Sequence, residues 1–413
     1  MGRAASDPTV ARRRSRIAIY ARGSKGLGEL RRSLRIASAL AAPPLEARVL
    51  VISGTPTTNG LSVPPGVDFL TLPVPEPRGP ENQEPPGWDP DAAAGSALRS
   101  RIIATAVDEM RPELFLVHEF PSGSGHELDA ALRSMRARPG TRCVLGLGDI
   151  APDPDAARRA WADAGHADAI RKSFDQILVY GDRAVHDRLR EDRFPADLEA
   201  RTRYTGYLVP NTGPDESSLP AAEADVPREA FVLCTLGGGY GGFQLGRAFC
   251  RAELPPGPVG VLLAGPFLPP AQRDQLRRQV AARSDLRMVD SVTEPALLIQ
   301  RARRVISVGG YTTVTELLGL GKRTLIVTGG ARPLERRIRA ERLEALGLVD
   351  LVDPHRLDPQ ALSDWMRRPA PWPRRAWDQL DLGGLARLPR LLLNSGSEAL
   401  LARPGDPQPG PQR

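Results

Sequence analysis

The sequence predicts an α/β protein of two doubly wound domains, each a parallel sheet with helices on both faces, meeting across a cleft. Three observations carry this. Short β-branched apolar runs alternate with longer segments of helical periodicity over most of the chain. The alternation stops at a polar break, residues 210–229, and then restarts. Each half also opens with a strand running into a glycine loop, GSKGLG at 23–28 and GGGYGG at 237–242. At 413 residues the chain is long enough for two such cores. In sheets of this kind ligands sit beyond the carboxyl ends of the strands.

The elements follow in order. RIAIYAR (16–22) is a strand, and 29–42 a helix whose Leu30, Leu34, Ala37 and Leu40 recur at helical spacing and face inward. RVLVIS (48–53) is the second strand. Residues 54–90 hold ten prolines, too many for regular structure, so a single strand, VDFLTL, is expected inside a long irregular excursion. A helix near 97–110 leads to ELFLVHE, a helix near 125–137 leads to RCVLGLGD, and QILVYG (176–181) and RYTGYLV (203–209) follow as strands. In the second half AFVLCTL, PVGVLLAG, LRMVDS, the runs at 305–308 and 324–327, and LVDLVDP are strands. The expected domains are 16–209 and 230–395. Residues 1–15 are a basic flexible leader, 210–229 a linker and 396–413 a proline-rich disordered tail.

The net charge of +7 is unevenly placed. Five arginines against Asp7 put +4 in residues 1–16 and a further +2 lies from residue 387 onward, which leaves the body at +1. Folded domains without a basic face are not expected to bind nucleic acid. The basic leader suits a peripheral contact with anionic lipid head groups, although a solvated leader is the stronger explanation. Cys143, Cys234 and Cys250 are odd in number and lack metal-ligand spacing, which points to reduced thiols and a cytoplasmic location, extending to the inner membrane face. No signal peptide is expected before IAIYAR, and no run nears the roughly 20 apolar residues of a membrane span.

The densest motif is RRVISVGGYTTVTELLGLGKRTLIV, residues 303–327. A buried strand at 305–308 ends on Gly309 and Gly310. A helix follows, with Val314, Leu317 and Leu318 as its apolar stripe, and Gly321 ends it before the next strand. Two readings fit. Thr313 and Glu316 have the spacing of a capping box, in which each satisfies a free N–H of the first turn. In the other reading the glycines let a ligand approach the backbone, the helix N-terminus with Thr312 and Thr313 binds phosphate, and Glu316 grips a sugar diol. Gly237, Gly238 and Gly239 form a second loop with a similar choice, a plain tight turn or close approach to phosphates or a sugar.

GLGELRRSLRIASAL, VLVISGTP, PPGVDFLTLP, VLGLGDI, YTGYL, VGGYTTVTELLGLGKRTLIV and IRAERLEALGLVDLV, in this order between about residues 16 and 355, resemble the glycosyltransferases related to the MurG type. The resemblance implies the GT-B fold, two Rossmann-like domains of which the C-terminal binds a nucleotide-sugar donor and the N-terminal an acceptor. It implies transfer from a nucleotide-diphosphate donor, a UDP-sugar and more narrowly a UDP-N-acetylhexosamine, to a small-molecule or lipid-linked acceptor. No cofactor beyond that co-substrate and no metal is implied. On matching positions, Gly309, Gly310, Thr312 and Thr313 would surround the diphosphate and Glu316 would accept from the ribose hydroxyls, with charge-assisted bonds worth ~1.5–3 kcal/mol each. Gly237, Gly238 and Gly239 would approach the donor, Arg336 would help hold the leaving group, and the base would lie against 290–297. The chain departs from the family pattern at Glu29, where a histidine follows the first loop, and at Thr312, Arg336 and Gly148. A nucleotide-sugar epimerase of the same architecture and a non-catalytic binding protein are the alternatives.

An inverting transfer also needs a base near the acceptor hydroxyl. Candidates at carboxyl ends of first-half strands are Glu29, His118, Glu119 and Asp149. His118 closes LFLVH, and an imidazole titrates near neutral pH. Asp149 closes VLGLGD. Structural roles compete with each: Glu29 favours a helix N-terminus, Asp149 can cap a turn, and an isolated histidine is more often structural than catalytic.

Overall fold

Runs of three to seven residues, most of them apolar, become the strands of two separate sheets. The structure, a computed structural model, describes residues 14–23, 27–55, 63–73, 92–210, 227, 229–239, 241–292, 294–329, 333–369 and 376–393. The expected leader up to residue 13, most of the proline-rich excursion and of the linker, and the expected tail lie outside the described residues.

In the first half β1 (Arg16–Ala21), β2 (Arg48–Ser53), β3 (Val67–Thr71), β4 (Leu114–His118), β5 (Arg142–Gly148), β6 (Gln176–Tyr180) and β7 (Thr202–Tyr204) pair in the order β3-β2-β1-β4-β5-β6-β7, all parallel. In the second half β8 (Phe231–Thr235), β9 (Val259–Leu263), β10 (Leu286–Val289), β11 (Arg304–Ser307), β12 (Thr324–Val327) and β13 (Asp350–Val352) pair in the order β10-β9-β8-β11-β12-β13, again all parallel. Each order reverses beside the first strand of its half. The crevices at β1/β4 and β8/β11 are therefore the switch points where such sheets take ligands.

Strand alternation sorts the core into layers. On β1, Ala18 and Tyr20 join Phe115, Val117 and Leu145 under the helices Ala92–Met110 and Asp129–Arg136, through Ile103, Val107, Leu132 and Met135. Ile17 and Ile19 point to the other face, against Leu30, Leu34, Ala37 and Leu40 of the helix Gly28–Ala41. The second sheet is layered likewise, with Cys234 and Ile306 on one side and Leu233 and Val305 on the other. All three cysteines are buried thiols, and burial pushes Cys250 up to about 11 and Cys143 up to about 12.

Two expectations need correction. Of RYTGYLV only Arg203 and Tyr204 lie in a strand, Thr202–Tyr204, because Gly206 at φ 82° turns the chain out of the sheet and Tyr207 N–H donates to Asp381 O at 2.7 Å. The C-terminal domain also gives up its last helix. Gly384–Leu393 crosses back and inserts Leu385, Leu388 and Leu392 into the layer below β1, with Arg142 donating to the Leu392 carbonyl. A further apolar cluster joins the halves, Val185, Tyr207 and Val209 packing with Val314, Leu318, Ile326 and Leu343.

Candidate active site

A cleft between the domains is lined by residues that leave the carboxyl ends of strands in both sheets. From the first come Glu29, Arg31 and Arg32 after β1, Glu119 after β4, and Gly148, Asp149 and Ile150 after β5. From the second come Thr235, Gly237 and Gly238 after β8, Gly265 and Pro266 after β9, Ser291 and Val292 after β10, Gly310 to Thr313 after β11, and Glu335 and Arg336 after β12.

The glycines divide by role. Gly237, at φ 62°, and Gly238 line the cleft, whereas Gly239, at φ 100°, packs away from it, where a Cβ would lie 2.5 Å from the Leu268 nitrogen. Gly309 is a turning residue as well, at φ 74°, with Ile326 Cγ2 2.7 Å from the position of a Cβ. Gly310 differs. It is the N-cap of the helix Tyr311–Gly319 in extended conformation, no side chain caps that helix, and a Cβ on Gly310 would meet nothing within 4 Å. The first-turn N–H groups and the positive end of the helix dipole thus adjoin the cleft, a ready anion seat.

This helix start also rules out the capping box. Tyr311 is the first helical residue, so Thr313 lies inside the first turn and cannot serve as N-cap. Thr313 lines the cleft. Thr312 does too, but its hydroxyl donates to the Gly28 carbonyl of the other domain at 3.0 Å. Glu316 does not line the cleft as expected of a diol ligand. It is buried under the first-half helix, where Arg35 donates to its Oε1. Arg336 does line the cleft, with Nη1 donating to Gly329 O at 2.6 Å.

Among the expected bases, His118 is corrected outright. It is fully buried in the sheet, Nδ1 lies 3.0 Å from Ser33 Oγ, and its ring meets Tyr180 edge-on at 5.6 Å. Burial, with the Arg32 charge as a smaller cause, holds its pKa well below the usual histidine value. It does not line the cleft. Asp149 reaches the cleft but its carboxylate is spent: Oδ1 and Oδ2 accept from Arg339 at 2.6 and 2.7 Å, Oδ2 from Tyr207 at 3.2 Å and Oδ1 from Ile150 N–H at 2.9 Å. Glu119 takes Arg32 at 3.1 Å and Gly148 N–H at 2.7 Å, from a left-handed backbone at φ 63° that non-glycine residues seldom adopt. Glu29 remains at the cleft, its Oε1 accepting from Arg22 N–H at 3.1 Å.

Sequence reasoning missed Arg31, Arg32 and Arg339. The first two stand three and four residues after Gly28, a pair of adjacent arginines in the first turns after the glycine loop, and that was the available signal. Arg339 carried none, since its helix Pro333–Ala345 holds three other arginines within PLERRIRAERLEA, of which Arg337 is exposed. Among the described residues no group of three or more His, Cys, Asp or Glu side chains is placed to hold a metal ion, and no helix is long and apolar enough to cross a membrane.

Two parallel Rossmann-like sheets whose carboxyl ends share one cleft constitute the GT-B architecture of glycosyltransferases. No protein-family model and no curated protein matches the sequence. Solved structures do match the fold. The glycotransferase of kitacinnamycin is similar at TM-score 0.56 and 17% identity, over 92% of this chain and 96% of that one. MurG of Acinetobacter baumannii is similar at TM-score 0.53 and 13% identity, over 92% and 99%. CalG4, the calicheamicin glycosyltransferase, is similar at TM-score 0.52 and 17% identity, over 93% and 95%.

Proposed function

We propose that the protein is a glycosyltransferase moving a sugar from a nucleotide-diphosphate donor, a UDP-sugar, to a small-molecule or lipid-linked acceptor. One observation carries the reading. The uncapped N-terminus of Tyr311–Gly319 adjoins, through Gly310, a cleft that Arg31, Arg32 and Arg336 also line. Main-chain N–H groups, a helix dipole and guanidinium groups are the chemistry that stabilises a departing diphosphate. The architecture shared with glycosyltransferases supports the same reading.

In the transfer, the acceptor hydroxyl attacks the anomeric carbon as the bond to the diphosphate oxygen breaks. Glu29 takes the hydroxyl proton, and UDP leaves with the electron pair. Gly237, Gly238 and Gly310 give the phosphates room, and Thr313 and Arg336 lie where they can donate to them. The arginine-rich residues 1–16 suit work in the cytoplasm at an anionic membrane face, where a lipid-linked acceptor would be met.

Incubation with labelled UDP-sugars and an acceptor panel tests this. Release of UDP with a glycosylated product is the expected result. A new epimer of the donor formed without acceptor would instead mark an epimerase, and UDP binding without turnover a binding protein.

A further inference from the structure

Glu119, directly after β4, holds a left-handed backbone at φ 63° that glycine or asparagine would adopt more easily. Strain of this kind persists only where the surroundings over-determine it, and it gathers at functional sites. Here Glu119 N–H donates to the Gly146 carbonyl at 2.8 Å and Phe120 N–H to the His118 carbonyl at 2.7 Å. The Glu119 side chain, 5% exposed, lines the cleft. Its Oε1 is committed, taking Arg32 at 3.1 Å and Gly148 N–H at 2.7 Å. Gly148 leaves room for it, since a Cβ there would lie 2.9 Å from that oxygen and 3.5 Å from Arg32 Nη1.

Oε2 is different. Among the described residues no group donates a hydrogen bond to it: Arg188 Nη1 stands 3.9 Å away and donates to the Gly148 carbonyl at 2.6 Å. A nearly buried carboxylate oxygen without a donor is costly, and one on a cleft can take its donor from a ligand. Charge selects that donor. Burial works against the Arg32 charge, but Glu119 and then Glu29 outweigh it, so the guanidinium stays charged. With Arg32 and Arg188 both at the carboxylate, an ammonium would meet two like charges, whereas a neutral hydroxyl meets none. We propose that Glu119 reads a second, non-reacting hydroxyl of the acceptor, so that the acceptor is a polyol such as a sugar ring rather than an alcohol with one hydroxyl. This rests on the transferase reading above, in which Glu29 serves the reacting hydroxyl. An acceptor without the second hydroxyl would fill the cleft and leave Oε2 unpaired, which is how a site built to hydrogen-bond a hydroxyl rejects an analogue lacking it.

The test follows UDP release from UDP-glucose and UDP-N-acetylglucosamine, with methyl β-D-glucoside, octyl β-D-glucoside, cyclohexanol and octanol as acceptors. Wild type, Glu119→Gln and Gly148→Ala are compared. The second variant keeps the carboxylate but displaces it, and it stands in should thermal unfolding show the first to be unfolded. Wild type is expected to use the glucosides and to use the alcohols ~10-fold less well or worse. In the variants KM for the glucosides should rise about 10- to 100-fold, the worth of one hydrogen bond to a charged group, while kcat falls less and UDP affinity by calorimetry holds. Transfer to the octyl but not the methyl glucoside would mark a lipid-linked sugar, transfer to both a free one, and either supports the subsite. Alcohols used as well as glucosides, or an unchanged glucoside KM in the variants, would overturn it. A collapse of kcat at constant KM in Glu119→Gln would make Glu119 the base, refuting the subsite and leaving the transferase reading intact. No UDP release by wild type with any acceptor would refute that reading, and the subsite with it.

Discussion

Arg339 and Asp149 form a fully buried bidentate pair between the domains, with Nη2 to Oδ1 at 2.6 Å and Nε to Oδ2 at 2.7 Å. Glu335, one turn before Arg339 on its helix, takes Nη2 at 2.6 Å, and the Gly309 carbonyl takes Nη1 at 3.3 Å. One guanidinium thus fastens the end of β5 to the glycine turn that opens the candidate phosphate seat.

Removing one member of such a pair strands its partner's charge away from water. Arg339→Ala is expected to cost about 3–5 kcal/mol, because Asp149 and Glu335 stay buried without it. Asp149→Asn with Arg339→Met should cost less than the two single changes together, since no charge is then left uncompensated at Asp149. Urea unfolding of Arg339→Ala, of Asp149→Asn and Arg339→Met singly, and of the double variant measures both. Additive losses would mean that the two groups do not act as a pair.

His118 supplies a pH signature. Its neutral form is favoured in the folded protein by burial and then by Arg32, while the unfolded chain protonates it near pH 6.5. The stability this gives is complete above about pH 6.5 and is lost as the pH falls from there toward the depressed folded value, at up to about 1.4 kcal/mol per pH unit. His118→Gln should flatten the slope of unfolding free energy between pH 6.5 and 5. His166 and His186, whose pKa values burial also lowers, keep their share of it. Because His118 does not line the cleft, turnover in the variant should follow the wild-type pH profile; loss of the basic-form limb would restore it as the catalytic base.

The sheets were legible because parallel strands buried on both faces must be continuous apolar runs, as at 144–147 and 305–308. Helix packing was not. Gly384–Leu393 is amphipathic, and an amphipathic helix does not declare which of two sheets it covers; only the contacts of Leu385 and Leu388 decide it. The lining of the cleft was legible where backbone geometry dominates, as at Gly237 and Gly310. It failed where a charge's partner is remote, since Glu316 finds Arg35 from 281 positions away and Asp149 finds Arg339 from 190. The capping box failed for a local reason, the extended Gly310 starting the helix two residues before Thr313.

The glycines give a paired prediction. Gly310→Ala adds a methyl that meets nothing within 4 Å, at φ −65°, so the fold should tolerate it while the cleft loses room at the helix N-terminus. The melting temperature should stay near wild type and UDP binding should weaken on the order of tenfold, which is about 1.4 kcal/mol. Gly265→Ala is the contrast. Its φ is 83° and the new Cβ would sit 2.3 Å from the Gly237 carbonyl oxygen, so melting should fall before binding is considered. Equal UDP affinity in Gly310→Ala and wild type would place the phosphates elsewhere.

Glu29 makes the sharpest case, because its two expected effects have opposite signs. A carboxylate at the first turn of the helix Gly28–Ala41 is favoured by the dipole, and its Oε1 is oriented by the Arg22 N–H. Against a bound diphosphate the same charge is repulsive, so it weakens donor binding whatever else it does. Glu29→Gln keeps the shape, removes the charge and removes the proposed base. Turnover should fall by about 10²–10⁴, the usual worth of a positioned base, while UDP binds several-fold tighter. Calorimetry and initial rates on the same preparation separate the two. A purely structural Glu29 would lower the melting temperature and leave kcat unchanged, and a Glu29 that held the donor would weaken UDP rather than tighten it.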